Sequence, residues 1–339
     1  MTVSGPSGEA REPVSSTATA ADEHPAGPPD ASRPAGAPRL SVVVTVVDGG
    51  ATLRNCLAAL AGQEEPPTLE VLVPYDDSIA WVADLKTDFP DFRFVSMGVV
   101  ATERPAATPA GQHELFDRRR AAGLAVAGGE LLAILEDRGV PDRDWAANVD
   151  RLHRELPHAV IGGPVECGVD SSLAWAVYFC DFSRYQLPFR AGPRPYVTDV
   201  NICYKGAALR GVRELWEGRY HETTVNWHLT GAGETLYLST DFVVRQMRVD
   251  LRLSRVLHER YDWGRLFACT RARELGAGRR VLFAFLSPML PVVLLVRHTR
   301  TQARKRVNFR RFVRVAPLVA VLLATWSAGE LVGYITGRA

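Results

Sequence analysis

The sequence predicts an α/β domain on a mostly parallel sheet, set between a Pro/Ala-rich tail and a basic, apolar helical region. Three observations predict it. From Leu40 to Leu135 apolar runs alternate with helical stretches, the rhythm of parallel strands joined by helical crossovers. Residues 1 to 38 hold seven Pro and eight Ala with no Leu, Ile or aromatic residue, too little apolar surface to offset chain entropy. Charge is segregated as well: residues 251 to 339 carry 17 Arg/Lys against four acids, a net +13, while the whole chain is +2, so residues 1 to 250 carry −11.

The elements follow in order. Leu40 to Val47 is almost wholly apolar and β-branched, as a strand buried on both faces requires. Leu53, Leu57 and Leu60 then recur at helical spacing until Pro66-Pro67 bars continuation. The cycle repeats with strand Leu69 to Val73, helix Ile79 to Phe89, strand Phe92 to Val95, helix His113 to Ala127 and strand Leu131 to Leu135. Beyond Trp145 the pattern predicts a strand at Ala159 to Gly162, an aromatic helix near Leu173 to Tyr185, a strand near Val197 to Tyr204, a helix from Glu222 to Leu229, and a strand or strand pair in Thr235 to Gln246. Trp175, Tyr178, Phe179, Phe182 and Tyr185 fall on one face of the aromatic helix, as a core-facing stripe does. The domains expected are a disordered tail (1–38), an α/β domain (39–250), a basic helical linker (251–280) and a membrane-associated helical region (281–339).

Composition removes several classes. At 339 residues the chain is too long for a single small binding module. With 47% apolar and 23% charged residues it is neither wholly disordered nor collagen-like. Cys56, Cys167, Cys180, Cys203 and Cys269 are odd in number and form no CxxC pair, which disfavours a disulfide scaffold or a zinc ribbon. The tail contains no apolar stretch of signal-peptide type, so the domain that follows is expected in the cytoplasm. Its basic end is expected against an anionic membrane surface, with no nucleic-acid partner.

In a parallel α/β sheet, ligands bind beyond the carboxyl ends of the strands. Acids stand at three such places: Asp48 after the first strand, Asp76 and Asp77 after the second, and Glu136 and Asp137 after the fourth. The second and third have a structural alternative, because Asp after a strand is a common helix N-cap and acids before Pro141 suit a turn. The first turn reads Val47-Asp48-Gly49-Gly50 rather than GxGxxG, so a dinucleotide cradle is not supported.

Five segments in order, LSVVVTVVDGGATLRNCLAAL, LEVLVPYDDS, RRRAAGLAVAGGELLAILEDRGVPDRDW, TDVNICYKGAAL and HETTVNWHLTGAGETLYL, resemble the inverting family-2 glycosyltransferases of the GT-A fold, of the membrane-associated bacterial type. The likeness spans roughly residues 39 to 270. It implies a GT-A-like nucleotide-binding fold in which Asp48, Asp76, Asp77 and Arg120 hold the nucleotide, and Asp137 with Glu136 holds Mg²⁺ or Mn²⁺. It further implies that Glu222 is the general base, matched from Gly233, and that Asn201 and Trp227 border the acceptor. The chain departs from the family in two places, with Glu136-Asp137-Arg138 where Asp-x-Asp is usual and Glu222 where Asp is usual. The segment ERYDWGRLFACTRARELG lacks the Gln-x-x-Arg-Trp element of processive synthases, which implies one sugar per encounter.

The function expected is transfer of a sugar from a nucleotide-diphosphate sugar to a hydroxyl of a lipid-linked or membrane-proximal acceptor, with inversion, at the cytoplasmic face of the cell membrane. The rival is a catalytically silent module of the same fold that binds a nucleotide sugar or a partner there. In the tail, Val281 to Val296 is sixteen residues with Pro288 and Pro291 inside it, short of the roughly 20 that a spanning helix needs. It is expected to be re-entrant or interfacial, with the basic linker Arg297 to Arg314 cytoplasmic, while the second stretch, Val315 to Ala328, spans or re-enters.

Overall fold

The computed structural model describes residues 36–272 and 275–337. The expected tail therefore lies, apart from residues 36–38, outside the described residues. The strands are β1 (Leu40–Thr45), β2 (Leu69–Tyr75), β3 (Arg93–Ser96), β4 (Leu131–Glu136), β5 (Gly139–Pro141), β6 (Val160–Gly162), β7 (Val165–Cys167), β8 (Gly192–Pro193), β9 (Asn201–Lys205), β10 (Leu236–Leu238) and β11 (Val244–Gln246). The helices are α1 (Gly50–Ala61), α2 (Pro109–Val126), α3 (Trp145–Glu155), α4 (Ser172–Phe182), α5 (Gly206–Arg210), α6 (Glu222–Gly231), α7 (Leu253–Ala272), α8 (Ala277–Leu286), α9 (Leu290–Lys305) and α10 (Phe309–Thr336).

Eight strands form one sheet in the order β3-β2-β1-β4-β9-β6-β10-β8, and β5-β11-β7 form a second. All six residues of β1 are buried, which is why the run reads as continuously apolar. β1 pairs in parallel with β2 on one side and β4 on the other. The strand order therefore reverses between β1 and β4, and a crevice opens beyond their carboxyl ends.

The large sheet is mixed, with four parallel pairings and three antiparallel ones. β9 runs antiparallel to both β4 and β6, and β8 runs antiparallel to β10. β9 is reached through the long connection after α4 rather than by a helical crossover, so nothing obliges it to run parallel. Asp77–Lys86 is a kinked 3₁₀ segment instead of the expected α-helix, broken at Ile79, where φ is −130°. Its first turn is held by the Asp76 side chain, which accepts from the backbone N–H of Ser78.

The aromatic face of α4 is covered as expected. Trp175, Tyr178 and Phe179 pack with Val256 of α7 and with Phe312, Val315 and Val319 of α10. Burying a side chain such as Phe179 contributes about 3 kcal/mol. α7 and α10 approach closely where glycines remove the side chain: a Cβ at Gly329 would stand 2.0 Å from the Tyr261 carbonyl oxygen.

The first apolar stretch is longer than the sequence implies. Residues 277–305 form a nearly continuous helical run of 29 residues, because Pro288 and Pro291 sit at the openings of the 3₁₀ turn Ser287–Met289 and of α9, where proline is tolerated. That run and α10 are each long and apolar enough to cross a membrane. The basic end of α9 is docked on the α/β domain: Gln302 Nε2 donates to Gln186 Oε1 at 2.8 Å, and the Lys305 ammonium donates to the Gln186 carbonyl.

Candidate active site

The first strand ends in a tight turn. Gly49 has φ 70°, and a Cβ there would lie 2.5 Å from the Trp81 ring, so the turn needs glycine. This brings the Asp48 and Gly49 N–H groups onto the Asp137 carboxylate at 3.1 and 2.5 Å. Asp137 is fully buried, and its own N–H donates to the Thr45 carbonyl at 2.9 Å. Burial raises its pKa to about 7, against the N–H donors and Arg138, which favour the ionised form. Asp48 faces solvent and is gripped by Arg138, whose Nε and Nη2 donate to its two oxygens at 2.7 and 2.5 Å. Burial alone would raise the Asp48 pKa, but the Arg138 guanidinium holds it below the ordinary value.

At the end of β2, Asp76 is buried and bonds Ser78 N–H at 2.9 Å and Arg119 Nε at 2.7 Å. Arg119, from α2, also donates to the Val46 carbonyl at 2.8 Å and so ties the ends of β1 and β2 together. Asp77 is exposed beside it, and its N–H donates to Gly98 O at 3.0 Å.

Arg120 is the centre of the third group. This guanidinium is buried among Asp117 at 3.2 Å, Glu136 at 3.0 Å and Asp199 at 3.0 Å. The Asp199 N–H donates to Glu222 Oε2 at 3.3 Å, and Asn226 Nδ2 donates to Glu222 Oε1 at 3.1 Å. Glu222 opens α6 behind His221. Burial, reinforced by the Asp199 charge, raises the Glu222 pKa to about 8. Burial also raises Glu136, opposed by Arg120.

Asp48, Asp137 and Arg138 thus form one bonded group and Arg120, Glu136, Asp199 and Glu222 another, linked by the adjacent positions of Glu136 and Asp137 at the end of β4, with Asp76 and Asp77 at the end of β2. No side-chain hydrogen bond among the described residues joins Asn201 or Trp227 to these carboxylates. Asn201 is fully buried, accepts from Trp145 Nε1 at 3.0 Å and donates to the Pro164 and Phe242 carbonyls at 2.9 and 2.8 Å. Its polar atoms brace the inner wall. Trp227 is 65% exposed, about 140° around α6 from Glu222.

Sequence reasoning missed Arg119 and Asp199. The run Arg118-Arg119-Arg120 was readable, but successive helical residues point apart, and each arginine has its own partner: Glu114, Asp76 and the Asp117–Glu136–Asp199 group. Asp199 stands two residues before Asn201, and only its spatial neighbours distinguish it.

Among the described residues, no group of three or more His, Cys, Asp or Glu is arranged to hold a metal ion. Asp137 turns its oxygens to backbone N–H groups, Glu136 to Arg120, and Asp48 to Arg138. As arranged, each of these carboxylates has at least one oxygen taken by an N–H donor, which a divalent ion would have to displace or share.

No family model matches the chain, and no curated protein does. Among solved structures, the chain is similar to a mannosyltransferase from Pyrobaculum calidifontis in complex with GDP-Man and Mn²⁺, at 15% identity over 87% of this chain and 87% of that one, with a TM-score of 0.50. It is also similar to S. aureus TarS 1–349 in complex with UDP-GlcNAc, at 13% identity over 86% of this chain and 90% of that one, with a TM-score of 0.46. At 15% identity the likeness to the mannosyltransferase is one of fold.

Proposed function

We propose that the chain is an inverting glycosyltransferase of the GT-A, family-2 type, acting on a nucleotide-diphosphate sugar and a lipid-linked or membrane-proximal hydroxyl acceptor. The observation that carries this reading is Glu222, a carboxylate with its pKa raised to about 8 at a topological switch point and joined through Asp199 and Arg120 to the β4 acids. A base poised near the operating pH is efficient. In the reaction, the acceptor oxygen bonds to the anomeric carbon as its proton passes to Glu222. The bond from that carbon to the diphosphate oxygen breaks, and the electron pair leaves with the nucleoside diphosphate.

Asp76 and Asp77 border the nucleoside, with Arg119 fixing Asp76. Arg138, largely buried against Asp48, supplies a cation that meets charge on the departing diphosphate. The mannosyltransferase of the same fold binds GDP-Man with Mn²⁺; here a divalent ion held by Asp48 would have to take it from Arg138.

The C-terminal helices support attachment to a membrane surface. Phe285 is 79% exposed, and Val281, Met289, Val292 and Val293 share the bare apolar flank of α8 and α9. α7 lies along α10 and carries Arg255, Glu259, Asp262 and Arg265, which could not cross hydrocarbon with it. The layer is therefore interfacial, with the α8–α9 face in the cytoplasmic leaflet and the basic end of α9 beside the catalytic domain. The test is nucleotide release from a panel of UDP- and GDP-sugars by membranes bearing the protein. Turnover dependent on Glu222 supports the enzyme; donor binding without release supports a silent module.

A further inference from the structure

Glu222 has a second partner besides the Asp199 N–H, and that partner is itself held. Asn226 lies one turn further along α6 and donates from Nδ2 to Glu222 Oε1 at 3.1 Å. Its Oδ1 accepts from the Tyr204 hydroxyl at 2.9 Å, and the Tyr204 hydroxyl meets that of Tyr220 at 2.7 Å. Tyr204 comes from β9 and Tyr220 from the segment before α6; both are fully buried, and Asn226 is nearly so. The Tyr220 N–H donates to the Asp117 carbonyl at 3.1 Å, which pins the outer end of this row to α2 beside Arg120.

Proton counting gives the row a direction. A hydroxyl has one proton to donate. With Nδ2 on the ionised carboxylate, Asn226 turns Oδ1 to Tyr204, so Tyr204 donates to it and Tyr220 donates to Tyr204. A flipped amide would set Oδ1 against a carboxylate oxygen, a contact that only protonated Glu222 could satisfy. Burial raises both phenols well above their ordinary range, so they remain donors wherever Glu222 titrates.

We propose that Tyr204, braced by Tyr220, is a positioning residue for the general base: it locks the Asn226 amide in the orientation that donates to Glu222 and so holds the carboxylate ready to take the acceptor proton. The inference rests on the glycosyl-transfer reading and deepens it, assigning buried residues behind the base.

The charged and titratable groups that face Glu222 are Asp199 ahead of β9, Arg120 of α2, Tyr185 after α4, and Tyr204 and Tyr220. His221, its neighbour in sequence, turns Nδ1 to Thr224 Oγ1 at 3.1 Å. Tyr204→Phe and Asn226→Leu alter none of Asp199, Arg120, Tyr185 or His221, so a shift in Glu222 reports the row.

The test reads the protonation of Glu222 in two ways, on the full-length protein in detergent. One is the pH profile of kcat. The other needs no turnover: the difference in melting temperature between each variant and the same variant carrying Glu222→Gln, followed against pH. A hydrogen bond to a charged group is of a size that moves a pKa by about one unit, upward here because the ionised form loses its donor. Tyr204→Phe therefore raises both midpoints by about half to one pH unit and lowers kcat at pH 7 about three- to tenfold, with donor KM and the kcat plateau at high pH unchanged. Asn226→Leu raises the midpoints at least as far, and adding Tyr204→Phe to it raises them no further, because Tyr204 acts through Asn226. A merely structural role lowers the melting temperature, or kcat at every pH, and leaves the midpoints in place; that result overturns the proposal, as does a double variant in which the two shifts add. If Tyr204→Phe does not fold, Asn226→Leu decides alone, a raised midpoint supporting the proposal and an unmoved one overturning it. Raised midpoints in a protein that releases no nucleotide sink the transfer reading and keep the row's hold on Glu222, whereas turnover with unmoved midpoints sinks the row alone.

Discussion

Arg120 Nη2 stands 3.0 Å from Glu136 Oε1, and the same nitrogen is 3.0 Å from Asp199 Oδ2. One buried guanidinium thus joins the end of β4 to the segment that bonds Glu222. Removing it leaves Asp117, Glu136 and Asp199 without their shared counter-charge. Arg120→Met is expected to cost about 3–5 kcal/mol of stability and to abolish turnover, with Arg120→Lys intermediate. Urea unfolding measures this; a loss below about 1 kcal/mol would show that the network is solvated and of little consequence.

Glu222→Gln keeps the shape but cannot accept a proton, so turnover falls about a hundred-fold or more while donor affinity is retained. More than about a tenth of wild-type turnover remaining would remove Glu222 from the base role. The pH dependence has a defined sign. Only the ionised carboxylate accepts a proton, so kcat rises as pH approaches and passes about 8. Because the folded pKa lies above the ordinary 4.5, the folded state holds this proton more tightly than the unfolded chain does. Glu222 therefore contributes most to stability below that ordinary value, and the contribution is lost as pH rises through about 8. A pH series of kcat and melting temperature, with Glu222→Gln flattening both, checks the assignment.

Arg138→Ala is expected to weaken donor binding and to free both Asp48 oxygens. Added Mn²⁺ then restores part of the affinity in the variant and little in wild type, because the variant frees the Asp48 carboxylate. Donor titration with and without EDTA distinguishes the two. Wild-type binding that collapses in EDTA would show that Asp48 leaves Arg138 for a metal. Asp137→Asn weakens donor binding in either background, since Asp137 sets the turn that carries Asp48.

Val307, between α9 and α10, is 67% exposed beside the basic end that docks on the catalytic domain. Val307→Cys is expected to be protected from an impermeant thiol reagent in intact cells and labelled after lysis, with the protein in the membrane fraction. Labelling from outside would place this end across the membrane and overturn the interfacial arrangement.

Local patterning determined much of this protein. The buried strands β1, β2 and β4, the apolar stripe of α4 and the segregation of basic charge were legible because each arises from residues a few positions apart. Asp76 and Asp137 were placed at the correct strand ends for the same reason, since the carboxyl end of an apolar run marks itself. Tertiary structure decided the rest. The antiparallel course of β9, the separate partners of Arg119 and Arg120, the full satisfaction of Asn201 and the turn of Asp137 toward Gly49 depend on groups 16 to 88 positions away in the chain. Hydrophobic periodicity records which face a side chain occupies; it does not record what waits on that face. For a carboxylate at a strand end, the difference between metal ligand, helix cap and turn brace is the identity of that distant donor, and only the folded chain supplies it.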